Sequence, residues 1–225
     1  MRQRHTALNR AMSKLGLLSR AQATVAIRAG RVRVDGRIVT EPLQPVVPER
    51  VRITIDDQSP PRARWRTIVF HKPRGVVTTS RDPEGRRTIY DVLGEAGKGL
   101  IAVGRLDLAT AGLLLMTNDT QLANRITDPV NAIPRVYLVT VRGEVTGDLP
   151  GVTIRKRSRR ETHLVVELRQ GRNREIRKMF EAIGHEVTRL KRVRFGGLEL
   201  GDLAPGAWRE LTRREVRAAF AFSAA

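Results

Sequence analysis

The 225-residue chain contains no cysteine, which excludes disulfides, thiolate catalysis and zinc–cysteine sites. Histidine is almost as scarce: His5, His71, His163 and His185 are scattered and show no metal-ligand spacing. No apolar run approaches the length of a membrane-spanning helix, and Met1-Arg2-Gln3-Arg4-His5 leads into no apolar signal core. Neither a strongly amphipathic basic helix nor a lipidation signal stands out. The chain therefore reads as cytosolic and metal-free, with no membrane partner. Acidic residues are also in short supply, 23 against 42 Lys plus Arg, which leaves a net charge of +19. Such an excess predicts a polyanionic partner, nucleic acid first. Hydrophobic residues at 40% and charged residues at 29% are ordinary for a folded protein, and the length suffices for one or two domains.

The first residues pattern as a small αβ module. Leu8, Met12 and Leu15 share a helical face, Ser19-Arg20-Ala21-Gln22 fits a capping box, and Gly30 stops the helix that follows. Arg31-Val32-Arg33-Val34 alternates, Asp35-Gly36 is a hairpin turn, Arg37-Ile38-Val39 returns, and Val51 to Ile55 alternates again. Arg10, Lys14, Arg20, Arg28, Arg31, Arg33 and Arg37 are its expected exposed cations, placed for phosphate contact. Leu8-Asn9-Arg10, Gly16, Ser19-Arg20 and Gly30-Arg31-Val32-x-Val34-Asp35-Gly36 resemble the RNA-binding domain named after ribosomal protein S-four. That resemblance implies docking on structured RNA and no chemistry.

A polar, proline-broken and basic stretch over 58–66 reads as a linker. Beyond it, Trp65 to Phe70 reads as a strand, and Thr88 caps a short helix through Val92 and Leu93. The glycines at 94, 97 and 99 lack the spacing and the following Ser or Thr of a phosphate loop, so no nucleotide cofactor is expected. The chain turns on Gly104-Arg105-Leu106-Asp107, set between the apolar runs Leu100–Val103 and Leu113–Met116. In extended backbone Arg105 and Asp107 point one way and Leu106 the other. Asp107 is then expected to be a partly desolvated carboxylate with cations at hand, an arrangement found at catalytic sites and, more often, in structural ion pairs.

Further on, Asp119 caps a helix that carries Leu122 and Ile126 inward and ends before Pro129, and Val136 to Val141 is a strand holding Tyr137. Taken alone, Tyr137 fits plain core packing best. Arg155 to Arg160 places five cations in six positions, in a loop or hairpin, ahead of a strand from His163 to Leu168. Gly171-Arg172-Asn173-Arg174-Glu175-Ile176-Arg177-Lys178 opens a helix in which Ile176, Met179 or Phe180, and Ile183 repeat, closed by Gly184. Arg172, Arg174 and Arg177 crowd a helix end that is already electropositive, which suits a delivered anion. A basic strand from Thr188 to Phe195 and a short terminal helix complete the chain.

His71-Lys72-Pro73-x-Gly75-Val76, Gly104-Arg105-Leu106-Asp107-x-x-Thr110-x-Gly112-Leu113-Leu114, Thr117-Asn118-Asp119, Tyr137-Leu138-Val139, Gly171-Arg172-Asn173-Arg174-x-Ile176-Arg177 and Leu190-Lys191-Arg192-Val193-Arg194-Phe195-Gly196 occur in that order. Together they resemble bacterial pseudouridine synthases of the ribosomal small-subunit/large-subunit family. The resemblance implies an α+β chain: an RNA-docking domain over 1–57, the linker over 58–66, and a catalytic domain over 67–225 on a largely antiparallel sheet. It implies Asp107 as the nucleophile on a flipped-out uridine, Arg177 paired with it, and Tyr137 and Ile176 on the two faces of the uracil. Tyr137 also assists the late proton removal, and Arg105 holds the flipped state. Arg172, Arg174, Lys191, Arg192 and Arg194 are implied at backbone phosphates. The reaction is an isomerisation, so neither cofactor nor metal is expected; the expected partner is ribosomal RNA, free or in an assembling subunit, met by a monomer. Ala109, Ala111 and Glu175 depart from the family's usual residues without touching the assigned nucleophile. The rival expectations are a non-catalytic rRNA-binding assembly factor and, more weakly, a DNA-binding regulator.

Overall fold

The computed structural model describes residues 5–48, 50–58 and 64–221. It divides into two compact units, Met1–Trp65 with Asn118–Gln121, and Arg66–Thr117 with Leu122–Ala225, each with its own apolar core. Residues 59–63, most of the expected linker, and residues 1–4 and 222–225 at the ends lie outside the described residues.

In the smaller unit the order is β1 (Thr6–Ala7), α1 (Leu8–Lys14), α2 (Arg20–Arg28), β2 (Val32–Val34), β3 (Arg37–Ile38), β4 (Pro45–Val46) and β5 (Ile53–Ile55). The capping box at the start of α2 is complete: Ser19 Oγ accepts from Gln22 N, and Gln22 Oε1 accepts from Ser19 N. Asp35 and Gly36 both have positive φ, 50° and 83°, the backbone of a two-residue hairpin turn whose twist matches its strands. β2 pairs with β3 and β5, and Val32, Val34 and Ile53 close over Leu8, Met12, Ala23 and Ile27. Residues 51 and 52, expected in the strand, precede β5, where Arg52 N donates instead to Asp35 Oδ1 at 2.8 Å. The antiparallel β1–β4 pair was not expected, because a two-residue strand carries no periodicity.

The larger unit runs β6 (Thr67–Lys72), α3 (Ile89–Leu93), β7 (Ile101–Ala102), β8 (Ala111–Thr117), α4 (Thr120–Thr127), β9 (Arg135–Arg142), β10 (Val152–Arg157), β11 (Glu161–Leu168), α5 (Glu175–Glu181), β12 (Val187–Phe195), β13 (Leu198–Glu199), β14 (Trp208–Glu210) and α6 (Arg213–Ala219). Its strands form one sheet in the order β10-β11-β9-β12-β8-β6-β14, with β13 on β12 and β7 on β8. Every pair is antiparallel except β12–β8, so the class is α+β with a largely antiparallel sheet, as expected. One face is covered by Ile89 and Leu93 of α3 and by Ile176 and Phe180 of α5, packed on Phe70, Leu114, Tyr137, Val139 and Val166. Their removal from water is the main stabilising term. β14, unmarked in the sequence, pairs with β6 at Trp208↔Phe70.

The short parallel contact pairs Lys191 with Ala111 and Arg192 with Gly112. Gly112 has φ +112°, and a Cβ there would lie 2.2 Å from the Arg192 carbonyl oxygen. Gly112→Ala therefore forces β8 and β12 apart, and we expect a loss of more than about 3 kcal/mol in urea unfolding. A smaller change would show that the strand junction yields freely.

Candidate active site

The loop after β7 is built from the inside. Leu106 is buried, and its backbone is held at both ends by Thr78: Thr78 Oγ1 donates to Leu106 O at 2.7 Å, and Leu106 N donates to Thr78 Oγ1 at 3.3 Å. Arg105 and Asp107, on either side, are exposed, the alternation expected of extended backbone. Asp107 is not the partly desolvated carboxylate the sequence suggested. The buried charge is its neighbour Lys72, at the end of β6, with no exposed surface. Lys72 Nζ donates to Pro73 O (3.0 Å), Asp107 O (3.2 Å) and Thr110 O (2.8 Å), while Thr110 N donates to Asp107 O at 3.0 Å. Burial pulls the Lys72 ammonium down to about 8, and the Asp107 carboxylate opposes that fall.

α5 supplies the facing wall. Arg174 precedes it in left-handed backbone, φ 52°, and Glu175 Oε2 accepts from Arg172 N at 2.8 Å, so the glutamate that departs from the family pattern closes the helix start. Ile176 is buried. The Arg177 guanidinium donates to Val187 O at 2.9 Å and Ala109 O at 3.2 Å. Burial lowers its pKa and Asp107 raises it, so the two charges sense one another. Among the described residues, however, no ion pair within 4.0 Å joins them: the carbonyls, not the carboxylate, pin Arg177. The direct pair implied by the resemblance is absent from this conformation.

The floor comes from β9 and β12. Their register sets Arg192 opposite both Tyr137 and Gly112, and Lys191 opposite Leu138, so Arg192 turns to the cavity and Lys191 to the other sheet face. Arg192 is thus not an exposed phosphate contact. It is 3% exposed, donates from Nε to Leu113 O at 2.8 Å, lies 4.7 Å over the Phe195 ring, and keeps a buried Nη2 without a partner. After a register shift Arg194 faces Glu167, with Nη2–Oε2 at 3.4 Å. The sequence reading grouped Lys191, Arg192 and Arg194; strand alternation separates the first two, and the register shift separates Arg194 from Arg192.

The resulting cavity, about 470 Å³, is lined among others by Arg105, Asp107, Arg135, Tyr137, Arg172, Arg174, Ile176, Arg177 and Arg192. Tyr137 is 8% exposed, so it packs in the core and also faces the cavity. Lys191 and Arg194 are outside this lining. Two residues given no role by sequence reasoning belong to the site, Lys72 beneath the loop and Arg135, buried with its Nη1 donating to Ile133 O and Arg169 O. Lys72 lies in the His71-Lys72-Pro73-x-Gly75-Val76 motif; nothing marks Arg135, which reads as an ordinary strand start.

In the smaller unit Arg10, Arg20, Arg28 and Arg37 are exposed as expected. Lys14 and Arg33 are half-buried, and Arg31 and Arg33 face the carboxylates of Asp56 and Asp57. The turn after β5 brings those acids beside β2, which the intervening sequence gave no means to foresee. Four of the seven cations are left fully presented to solvent.

A sheet-borne cavity of nucleotide size, rich in guanidinium groups and opened upon by one aspartate, defines an enzyme-type site for an anionic substrate. The comparisons agree. The model of the RNA pseudouridylate synthase family matches residues 66–182, and that of the S4 domain matches residues 8–51. A protein of Aquifex aeolicus named as an uncharacterized RNA pseudouridine synthase is 34% identical over 231 residues, covering 95% of this chain and 93% of its own. Ribosomal large subunit pseudouridine synthase B of Bacillus subtilis is 33% identical, covering 93% of both chains; that of Vibrio cholerae is 36% identical, covering 93% of this chain and 72% of its own. A crystal structure of a pseudouridylate synthase superposes with a TM-score of 0.62 at 29% identity, covering 94% of this chain and 98% of its own. The chain belongs to the RNA pseudouridylate synthase family.

Proposed function

We propose that this protein isomerises a specific uridine of ribosomal RNA, in the large subunit, to pseudouridine. The observation that carries the reading is the Asp107 carboxylate itself: exposed on the cavity, free of any ion pair among the described residues, on a loop fixed from beneath by Lys72 and Thr78. A nucleophile must be unobstructed and held in place. Asp107 meets both conditions.

The uridine enters flipped out of its stack, with its base between Tyr137 and Ile176, a slot of aromatic and aliphatic surface suited to a uracil. Asp107 attacks, the bond from ribose to uracil nitrogen breaks, the base turns, and the ribose is rejoined at uracil carbon 5. Rejoining releases the Asp107 carboxylate, the proton displaced from carbon 5 leaves to solvent with help from the Tyr137 hydroxyl, and the freed uracil nitrogen takes up one proton, so atoms and electrons balance without a redox partner. Arg177 stabilises the ionised Asp107 through the shared cavity, Arg105 holds the vacated stack, and Arg172 and Arg174 meet flanking phosphates. Residues 1–57 serve as the RNA-docking domain, joined by 58–66 to a catalytic domain over 67–225. Support for the large subunit comes from the relatives in Bacillus subtilis and Vibrio cholerae, whose names specify it.

The test is tritium release from rRNA labelled at uracil carbon 5, with naked and protein-bound large-subunit rRNA as substrates. Release, followed by mapping to one uridine, is the expected result. Tight RNA binding with no release on any substrate would instead favour an assembly factor.

A further inference from the structure

The strongest charge concentration outside the cavity is the β10–β11 hairpin. Arg155, Lys156, Arg157, Arg159 and Arg160 are all exposed, and among the described residues none has an ion pair within 4.0 Å. The adjacent carboxylate, Glu161, is turned to His163 at 3.0 Å. The turn carrying these cations is closed tightly: Ser158 N and Oγ each donate to Glu161 O at 3.0 Å, and Glu161 N donates back to Ser158 Oγ at 3.2 Å. A register shift at Arg155 adds one residue to β10, and from there Lys156 lies opposite His163 and Arg157 opposite Thr162, so the cations fan to both sheet faces.

The hairpin's place in the sheet gives it a use. β11 runs from Glu161 at the basic turn to Leu168 at the cavity, paired along its whole length with β9. Seven residue steps of strand separate the two by about 23 Å. We infer that this hairpin tip is a second RNA-contact surface, gripping backbone phosphates of a helix that flanks the target nucleotide. Four of its five cations are arginines, whose planar forks pair bidentately with phosphate oxygens; a solubilising face has no need of that geometry. Unpaired cations on a preorganised turn bind phosphate without first breaking contacts of their own. The inference rests on the uridine-isomerase reading for its substrate, and it adds a length requirement: RNA too short to span the strand gains nothing from the hairpin.

The experiment uses the full chain with Lys156, Arg159 and Arg160 replaced by Gln, and a second variant with Arg159→Lys and Arg160→Lys. Two RNAs carry the same target loop, one on a minimal stem and one with extended flanking helices. On the extended RNA the Gln variant is expected to raise Kd and KM about tenfold or more, leave kcat unchanged, and flatten the slope of log K against log salt by roughly 2. The minimal stem should respond little, and the Lys variant, which keeps the charge but loses the forked geometry, should fall between the Gln variant and wild type. Equal weakening on both RNAs, or none on either, overturns the inference. So does unchanged RNA binding with new self-association, the mark of cations that merely guard an open sheet edge. Binding is read without turnover, so a wild type that grips the extended RNA through the hairpin yet makes no pseudouridine defeats the isomerase reading and spares this one.

Discussion

Asp107→Asn is expected to lower kcat by about 10⁴-fold or more in tritium release, with KM for the RNA changed less than about threefold. Asparagine keeps the shape and hydrogen-bonding reach of the side chain but supplies no carboxylate to attack the substrate. Asp107 is exposed and holds no ion pair among the described residues, so the variant should keep its melting temperature within about 2 °C. That combination separates chemistry from folding. Asp107→Glu tests position: it preserves the charge and shifts the carboxylate by one methylene, which on a pinned loop should cost about 10²-fold. Tritium release by the Asn variant within tenfold of wild type would move the nucleophile elsewhere, and Glu175 is the other carboxylate lining the cavity.

The residues that could be read from sequence are those whose roles depend on local pattern. The capping box at Ser19, the cap at Thr88, the Asp35-Gly36 turn, and the exposed-buried-exposed alternation of Arg105, Leu106 and Asp107 all follow from neighbours a few positions apart. What escaped depends on register. Whether Arg192 meets solvent or the cavity is set by its pairing with Tyr137 and Gly112, residues far away in the chain, and a one-residue slip would have exchanged it with Lys191. The burial of Lys72 has the same origin. Its strand lies between β8 and β14, and only tertiary pairing covers it. Charge was therefore a sound guide to the class of partner and a poor guide to which cation touches it. Asp107 shows the converse: the pattern singled out a residue that does line the cavity while misjudging its solvation, because the apolar runs on either side bury Leu106 and leave the carboxylate exposed.

Replacing Lys72 should cost far more in rate than in stability. Lys72→Met strips the donor from three carbonyls; that of Asp107 keeps Thr110 N, and those of Pro73 and Thr110, left unsatisfied, cost about 1–3 kcal/mol each. It also removes a buried charge whose pKa has fallen from 10.5 to about 8, a burial penalty of about 3 kcal/mol that the variant no longer carries. The two terms largely offset, and we expect a net loss of about 1–2 kcal/mol in urea unfolding. Nothing offsets the loss of position, because the Asp107 carbonyl is one of the three anchors, and a shift near 1 Å at the proposed nucleophile costs about 10² in kcat. The pH dependence supplies the signature. Below about pH 8 the ammonium has three N–H groups for three carbonyls; above it the neutral amine has two, so one anchor is lost and wild-type kcat should fall through about pH 8. Stability moves the other way. The folded-state pKa lies below the unfolded value, so between about pH 8 and 10.4 the unfolded chain binds more protons at this site, and wild type gains up to about 3 kcal/mol relative to Lys72→Met as pH rises across that window. An alkaline limb that persists in Lys72→Met belongs to another group, and unchanged kcat beside reduced stability would make Lys72 a core residue with no hold on Asp107.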